Sequence, residues 1–345
     1  MWVFSMQKGI TLTIYQNGEP IQERDIDEVL IVHRFSKCGE ITIRTSPDAN
    51  ALQAYKVGSI MTTAPISDAF VIEKVEITDT LLTATGRSAD IILKRRVFEK
   101  TELFTGDVRV ILQKLLTSFT GARALPINIL VDTSIPSLAL DFQKTGATPL
   151  DILYAICEQI DAGYTIKYNQ SSNNFTLKIF KGKANNNAIF SPEYDNLANP
   201  SLLGSIEDYA TTAYIAGEGE GTDRVVVSAG SSAISGINRF EIYVDQRSEK
   251  RGTNTSLAVY KAQLKSKGIE ELTKHGYLEA MTGDVMQTEQ CIYGEDYLLG
   301  DQIIVENTTW GISDTYTVVE VEESQTASGY NITPNFAKKG DVSSE

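Results

Sequence analysis

Apolar and polar residues alternate along both ends of this 345-residue chain, and this alternation restricts its fold more than any other pattern. Every second residue from Ile10 to Ile14 is apolar, and residues 239–244 alternate in the same way. A period of two places apolar side chains on one face of a β-strand. Turn signals such as Asn17-Gly18 separate the early strands at spacings typical of a small antiparallel barrel or sandwich. The pattern therefore predicts two β regions, before residue 100 and after residue 190.

Between these regions the apolar residues adopt the 3.6-residue period of amphipathic helices. Residues 108–119 carry apolar side chains at helical steps. A second helix is predicted to begin in a capping box at Thr148 and to end at Gly163. A third is predicted at 256–275, where Gly268 is expected to weaken it.

The two periods divide the chain into four parts. Residues 1–100 are predicted to form a first β-barrel domain and residues 101–190 an α+β domain. Segments 191–250 and 286–345 are predicted to form a second β-barrel domain, interrupted by a helical insertion at 251–285. The expected fold class is therefore a β-rich α+β protein, with two small antiparallel β-barrels and helix-containing α+β insertions.

Charge is distributed unevenly along the chain. Residues 1–190 hold 20 Lys and Arg against 20 Asp and Glu, whereas residues 191–345 hold 11 against 25 and account for the net charge of −14. Nucleic-acid binders need Lys and Arg to displace phosphate counterions, so this acidic half is predicted to repel DNA. We interpret the acidity either as a solubility surface or as the wall of a channel past which DNA slides without specific binding.

The cysteines and the apolar runs indicate the cellular compartment in which the chain folds. Cys38, Cys157 and Cys291 are far apart and odd in number, which fits reduced thiols, and Cys157 lies on the apolar face of a predicted helix. No apolar run approaches the roughly 18 residues that span a bilayer. The N-terminal residues lack the pattern of a signal peptide. Synthesis in the cytoplasm, without membrane insertion, is expected.

Residues suited to catalysis are sparse. The two histidines, His33 and His275, lie in a strand pattern and at a predicted helix end, so structural roles are expected for both. The segment 217–221 alternates Gly with Glu, and these carboxylates would repel a phosphate. The acids Asp25, Asp27 and Glu28 lack the glycine and the bidentate Glu of a calcium loop. No catalytic residue, cofactor or metal site is predicted.

Six segments carry a family resemblance: TGRSADIILKRR (85–96), YDNLAN (194–199), YIAGEGEGTDR (214–224), RFE (239–241), YGEDYLLGD (293–301) and GYNITPNF (329–336). In this order they resemble the hub proteins of phage tail baseplates, which anchor the tail spike and are related to the tail-associated proteins of long-tailed phages.

The resemblance implies a structural, non-enzymatic protein of the virion tail, made and assembled in the bacterial cytoplasm. Hubs of this family are homotrimers in which each subunit supplies two β-barrels, so that six barrels match the sixfold tail tube and a threefold spike is held below. The implied partners are the tail tube or distal tail protein, the tail spike and the tape-measure protein, while DNA passes without specific binding. The chain ends just after the second predicted barrel, so the enzymatic extension found in many relatives is expected to be absent.

Several residues are assigned roles within this expectation. The candidate interface residues are Arg87, Arg95, Arg96, Arg224, Arg239 and Glu241. The first three could form salt bridges with a neighbour or be surface charges without a partner, and Arg239 and Glu241 could pair locally or across a trimer interface. Gly300 and Asp301 are assigned to the shape of a turn, in which Gly300 takes a positive φ and Asp301 closes the reversal.

Two other functional classes stay open at this point. A tail-associated enzyme that degrades the cell wall would need a nucleophile or a carboxylate pair in a cleft, and the 45 acids leave room for such a pair. A receptor- or carbohydrate-binding tail module would need exposed aromatic platforms. The 15 tyrosines of the chain do not cluster in sequence.

Overall fold

The computed structural model describes residues 9–21, 27–64, 66–252, 255–285 and 291–339. Asp25 of the predicted acidic cluster and the tail beyond residue 339 lie outside the described residues. The described chain is mostly β-sheet, as the sequence predicts. It divides into two compact units: unit 1 comprises described residues within 1–200 and 282–336, and unit 2 those within 201–281 and after 336.

The elements follow in chain order. Those of the first hundred residues are β1 (Thr11–Gln16), β2 (Glu19–Ile21), β3 (Glu28–Arg34), β4 (Glu40–Thr45), α1 (Ala49–Ala54), β5 (Ile60–Ala64), β6 (Ala69–Ile77), β7 (Leu82–Ser88) and a 3-10 helix (Ala89–Arg95). The next are β8 (Glu102–Asp107), α2 (Val108–Lys114), β9 (Ile127–Val131), β10 (Ala139–Lys144), α3 (Pro149–Ile160), β11 (Gly163–Asn169), β12 (Asn174–Phe180) and β13 (Ala184–Phe190). The last are β14 (Leu197–Ser205), β15 (Thr212–Ala216), β16 (Val226–Gly230), β17 (Glu241–Asp245), α4 (Leu257–Lys274), β18 (Leu278–Val285), β19 (Gln302–Asn307), β20 (Ile312–Thr326) and β21 (Gly329–Lys339).

One large sheet organises unit 1. Its strand order includes the run β21-β20-β3-β4-β7-β6-β5-β1-β2, and β19 joins β20 at the side. Strand β20 pairs antiparallel with β3, which places Val321 opposite His33. The 286–345 part of the second predicted β region therefore shares a sheet with the first region, whereas the sequence placed the two in separate barrels. Within the described residues the path of strands has two ends instead of closing, so the two closed barrels are corrected to one open path.

The α+β part of unit 1 follows its local signals closely. Helix α3 begins with the predicted capping box, in which the Thr148 amide donates to Asp151 Oδ2 at 2.8 Å. It ends at Asp161, which takes the left-handed conformation with φ 53°, two residues before the predicted stop. Gly163 instead begins β11, which pairs with β12 as predicted. The two compact units do not test the predicted division into four parts, which stays a prediction.

Unit 2 contains a three-stranded sheet in the order β16-β15-β17, covered on one side by α4. Tyr260, Leu264 and Leu272 of α4 pack there in the core. Gly268 serves this packing, because a Cβ atom at that position would lie 2.2 Å from Ile215 Cδ1. The glycine that the sequence marked as a weak point therefore allows close approach of helix and sheet. No helix in the described part of the chain is long and apolar enough to cross a membrane.

Candidate functional site

Three of the candidate interface residues lie on or beside the side of the unit 2 sheet that α4 leaves uncovered. Ile242 and Val244 of β17 pack against the core beneath α4. Glu241, Tyr243 and Asp245 alternate with them and are exposed on the opposite side, with Tyr243 61% exposed. We call this side the open face of unit 2. It presents charged and aromatic side chains in one row along an edge strand.

Arg239 and Glu241 form an ion pair at the start of this row. Arg239 Nε lies 2.6 Å from Glu241 Oε1, and the Tyr214 hydroxyl donates to the same oxygen at 3.1 Å. The hydrogen bond from Arg239, followed by that from Tyr214, lowers the pKa of Glu241. The two residues therefore pair locally, which is one of the two arrangements that their spacing allowed.

Arg224 ties the loop before β16 to the rest of the sheet. Its guanidinium donates to the carbonyl oxygens of Ala216 at 2.8 Å and Gly217 at 3.0 Å, and to the Tyr243 hydroxyl at 3.1 Å. It also forms an ion pair with Asp245, and its side chain is only 16% exposed. Arg224 is therefore bound within its own unit, and Tyr243 is the more accessible group beside it.

Asp245 accepts hydrogen bonds from two guanidinium groups at the end of the row. Arg247 Nε donates to Oδ2 at 2.9 Å, and Arg224 pairs with Oδ1. Hydrogen bonds from Arg247 and then Arg224 hold the pKa of Asp245 well below its usual range. The open face is therefore locally neutralised despite the acidity of this half of the chain.

The other three candidate interface residues lie in unit 1, and no two of them contact the same partner. Arg87 of β7 binds both carboxylate oxygens of Glu73, with Nη2 to Oε1 at 3.0 Å. Arg95 is exposed at the end of the 3-10 helix. Arg96 Nε donates to the carbonyl oxygen of Arg123 at 2.7 Å. Arg87 and Arg96 have separate local partners, and the three arginines share none of these contacts.

The turn at Gly300 has the predicted conformation. Gly300 has a φ of 89°, and its amide donates to the Val318 carbonyl of β20 at 2.7 Å. The ring of Phe35 lies against it, so that a Cβ atom on Gly300 would lie 2.2 Å from Phe35 Cε2. Asp301 is buried, and its Oδ2 accepts from the Leu298 amide at 3.1 Å. The turn therefore fixes the chain to β20 and to the end of β3.

His33 lies in β3, as the sequence indicates, but between two carboxylates that the sequence did not reveal. It is 3% exposed, with Nδ1 2.8 Å from Asp68 Oδ2 and Nε2 2.8 Å from Glu323 Oε1. Burial lowers the pKa of His33, but hydrogen bonds and charge from Asp68 and Glu323 outweigh it and raise the pKa to about 9. The imidazolium therefore joins β3, β20 and the segment before β6.

Asp90 forms a second buried polar cluster in unit 1. It is fully buried and accepts hydrogen bonds from Cys38 Sγ at 2.8 Å, from the Tyr164 hydroxyl at 2.9 Å and from the Ser88 hydroxyl. Burial raises the pKa of Asp90, and burial followed by the charge of Asp90 raises the pKa of the Cys38 thiol to about 12. The cluster joins β7 to β11. Sequence reasoning missed it because no local pattern brings these four side chains together.

We expect the unit 1 fold to lose stability above neutral pH through His33. The pKa of His33 is about 9 in the folded chain, above the value of about 6.5 for an exposed histidine. Its contribution is thus complete below about pH 6.5 and is lost as the pH rises through about 9. The free energy of unfolding should fall by roughly 2 kcal/mol between pH 7 and pH 10 through His33.

Urea unfolding of the full chain at several pH values measures this effect. The His33→Gln variant should show a smaller loss of unfolding free energy over this range than the unmodified chain. His275→Gln is the matched control, because His275 caps α4 in unit 2, with Nδ1 2.7 Å from the Asp208 carbonyl oxygen. Equal pH dependence in the His33 variant and the unmodified chain would contradict the assignment.

A family model matches most of the chain, and solved structures of phage tail proteins share its fold. A family model described as Siphovirus ReqiPepy6 Gp37-like protein matches residues 22–337. The 43 kDa tail protein of prophage MuSo2 from Shewanella oneidensis is similar, with a TM-score of 0.62, 13% identity, and coverage of 97% of this chain and 100% of the other. The tail protein from Neisseria meningitidis MC58 has a TM-score of 0.61 and 12% identity, with coverage of 96% and 97%.

A third similar structure comes from a different kind of particle. The Escherichia coli c3393 protein, a component of the type VI secretion system that exhibits structural similarity to the T4 bacteriophage tail proteins gp27 and gp5, has a TM-score of 0.50 and 10% identity, with coverage of 96% of this chain and 77% of the other. No curated protein matches the sequence. Identities this low establish a shared fold and nothing finer.

Proposed function

We propose that this chain, which belongs to the Siphovirus ReqiPepy6 Gp37-like protein family, is the baseplate hub of a phage tail or of a tail-like injection device. Three copies would form a ring that adapts the sixfold tail tube to the threefold spike and lets DNA or the tape-measure protein pass. The observation that carries the proposal is the fold match with tail proteins along nearly the whole length of both chains.

The spike is one proposed partner. The likeness to a type VI secretion component that itself resembles two tail proteins of T4 supports a place among tail proteins. The tail tube or distal tail protein is the second proposed partner. In this role the chain acts by shape and contact, with no catalytic residue, cofactor or metal required. The proposed location is the virion tail.

The open face of unit 2 is a proposed contact surface of the hub. It exposes Tyr243 beside the Arg239–Glu241 pair and the Arg224–Asp245 pair. Tyrosine and arginine are enriched at protein interfaces, since a tyrosine ring buries a large area at a low cost in side-chain entropy. Local ion pairs also hold the arginines in place before a partner arrives. The acidic surplus of residues 191–345 supports passage of DNA without binding.

The hub proposal predicts self-association. Sedimentation equilibrium of the purified chain should show a species of three times the monomer mass that dissociates on dilution. A salt titration with duplex DNA should show no binding at physiological salt. A monomer at every concentration would contradict the ring, and release of soluble fragments from peptidoglycan would favour the wall-degrading alternative.

A further inference from the structure

Strand β14 exposes apolar side chains towards both faces within unit 2. Leu202 and Leu203 are 41% and 54% exposed, and adjacent residues of a strand point to opposite faces. Ile206, one residue beyond the strand, is also 54% exposed. β14 is the last strand in its sheet order, next to β18, so within the described residues one backbone edge has no strand beside it. Such a strand is a template for pairing with another chain.

Edge strands are normally protected by charged side chains, lysine in particular, by proline or by a covering segment. Pro200 protects the start of the β14 edge, but residues 201–205 of the strand carry no charged side chain. Residues 196–206 contain no Asp, Glu, Lys or Arg, although this half of the chain holds 25 acidic and 11 basic residues. The stretch is therefore neutral in a strongly charged region, which fits a surface that is covered after assembly.

A second uncharged edge lies in the same unit at β16. This strand ends the order of the three-stranded sheet, and residues 225–238 contain no charged side chain. Val226 and Ser228 are exposed on the strand, and Ile237 is 92% exposed after it. The opposite edge, β17, is instead flanked by the ion pairs of the open face. Of these two edges, β16 is thus the one open to an apolar partner strand.

We propose that β14 of one copy pairs edge to edge with β16 of the next copy. This inference rests on the proposed function and specifies the contact that builds the ring. Cyclic rings close through heterologous contacts, in which two different surfaces meet, and β14 and β16 are such a pair. Two copies that each carry a charge of −14 repel each other, so uncharged segments are the favoured places of contact. Backbone hydrogen bonds and the exposed leucine and valine side chains supply the attraction.

A charge placed on β14 tests the contact. The Leu203→Lys variant should weaken self-association by at least about tenfold, because a lysine guards the edge and removes apolar contact. Val259→Lys is the matched control, since Val259 is 52% exposed on α4 of the same unit. It should associate as the unmodified chain does. At a protein concentration at which the unmodified chain is monomeric, both variants should unfold at the same urea concentration as that chain, because both positions are exposed.

Crosslinking identifies the two edges directly. The three native cysteines are buried, so cysteines introduced at the exposed positions Ser201 and Ser228 are the reactive ones. A bismaleimide should join Ser201→Cys chains to Ser228→Cys chains in a mixture. Neither variant should be crosslinked alone.

The outcomes separate this contact from the hub itself. A stable trimer that is unaffected by Leu203→Lys and yields no mixed crosslink would overturn the β14–β16 contact and leave the hub proposal standing. Crosslinking of Ser201→Cys alone would also overturn it, in favour of a symmetric β14–β14 contact. An unmodified chain that stays monomeric and gives no crosslink would overturn both proposals.

Discussion

Replacing Gly300 by alanine should lower the free energy of unfolding by about 3 kcal/mol. Two costs combine at this position. The backbone has a φ of 89°, which residues other than glycine adopt at a cost of roughly 1–2 kcal/mol. The new Cβ atom would also lie 2.2 Å from Phe35 Cε2, so the ring or the turn must move. Urea unfolding of the full chain measures the loss.

Gly294 provides a matched control for the Gly300 experiment. It has a φ of 91°, but no atom lies within 4 Å of the place where its Cβ would stand. Gly294→Ala should therefore cost only the backbone term, roughly 1–2 kcal/mol. Adding Phe35→Ala to Gly300→Ala should cost less than the sum of the two single changes. Equal losses for Gly294→Ala and Gly300→Ala would show that Phe35 does not constrain the turn.

Replacing Asp90 by alanine should cost at least about 3 kcal/mol. The change removes the shared acceptor of three buried donors, Cys38, Ser88 and Tyr164. A buried donor without an acceptor keeps its full desolvation cost, roughly 1–3 kcal/mol for each group. The loss should appear as a lower urea midpoint, or as failure to fold.

Two further variants keep the Asp90 prediction testable if the alanine variant does not fold. Tyr164→Phe removes one donor and leaves the other two bonds intact, so it should cost about 1 kcal/mol. Asp141→Ala is the matched surface control, because Asp141 is exposed and accepts one hydrogen bond, from Thr105 at 3.0 Å. It should change stability by less than about 1 kcal/mol. A larger loss for Asp141→Ala than for Tyr164→Phe would contradict the importance of the buried cluster.

Elements determined by neighbours in sequence were predictable. The capping box at Thr148 fixes the start of α3 because both hydrogen bonds lie within four residues. The β11–β12 hairpin follows from two alternating runs joined by a short polar turn. The positive φ of Gly300 follows from its place in a turn. In each case the physical cause is local, so the sequence pattern contains it.

Features determined by distant neighbours were not predictable from periodicity. The same period-two pattern fits separate barrels and a shared sheet, so the pairing of β20 with β3 could not be chosen. The partners of His33 are 35 residues away at Asp68 and farther still at Glu323. Of the candidate interface residues, Arg239 and Glu241 adopt one of the two arrangements that a spacing of two allows, whereas the contacts of Arg224 depend on strand order.

The pairing of β3 with β20 also determines how late in translation the large sheet can be completed. Arg34 and Glu320 bond across 286 residues of sequence, so one edge of β3 waits for its partner until nearly the whole described chain has been translated. At roughly 5–20 residues per second, this wait lasts about 15 seconds to a minute. During that time the growing chain carries an unpaired strand edge on the ribosome. Chaperone binding to the nascent chain would therefore be most useful before β20 emerges.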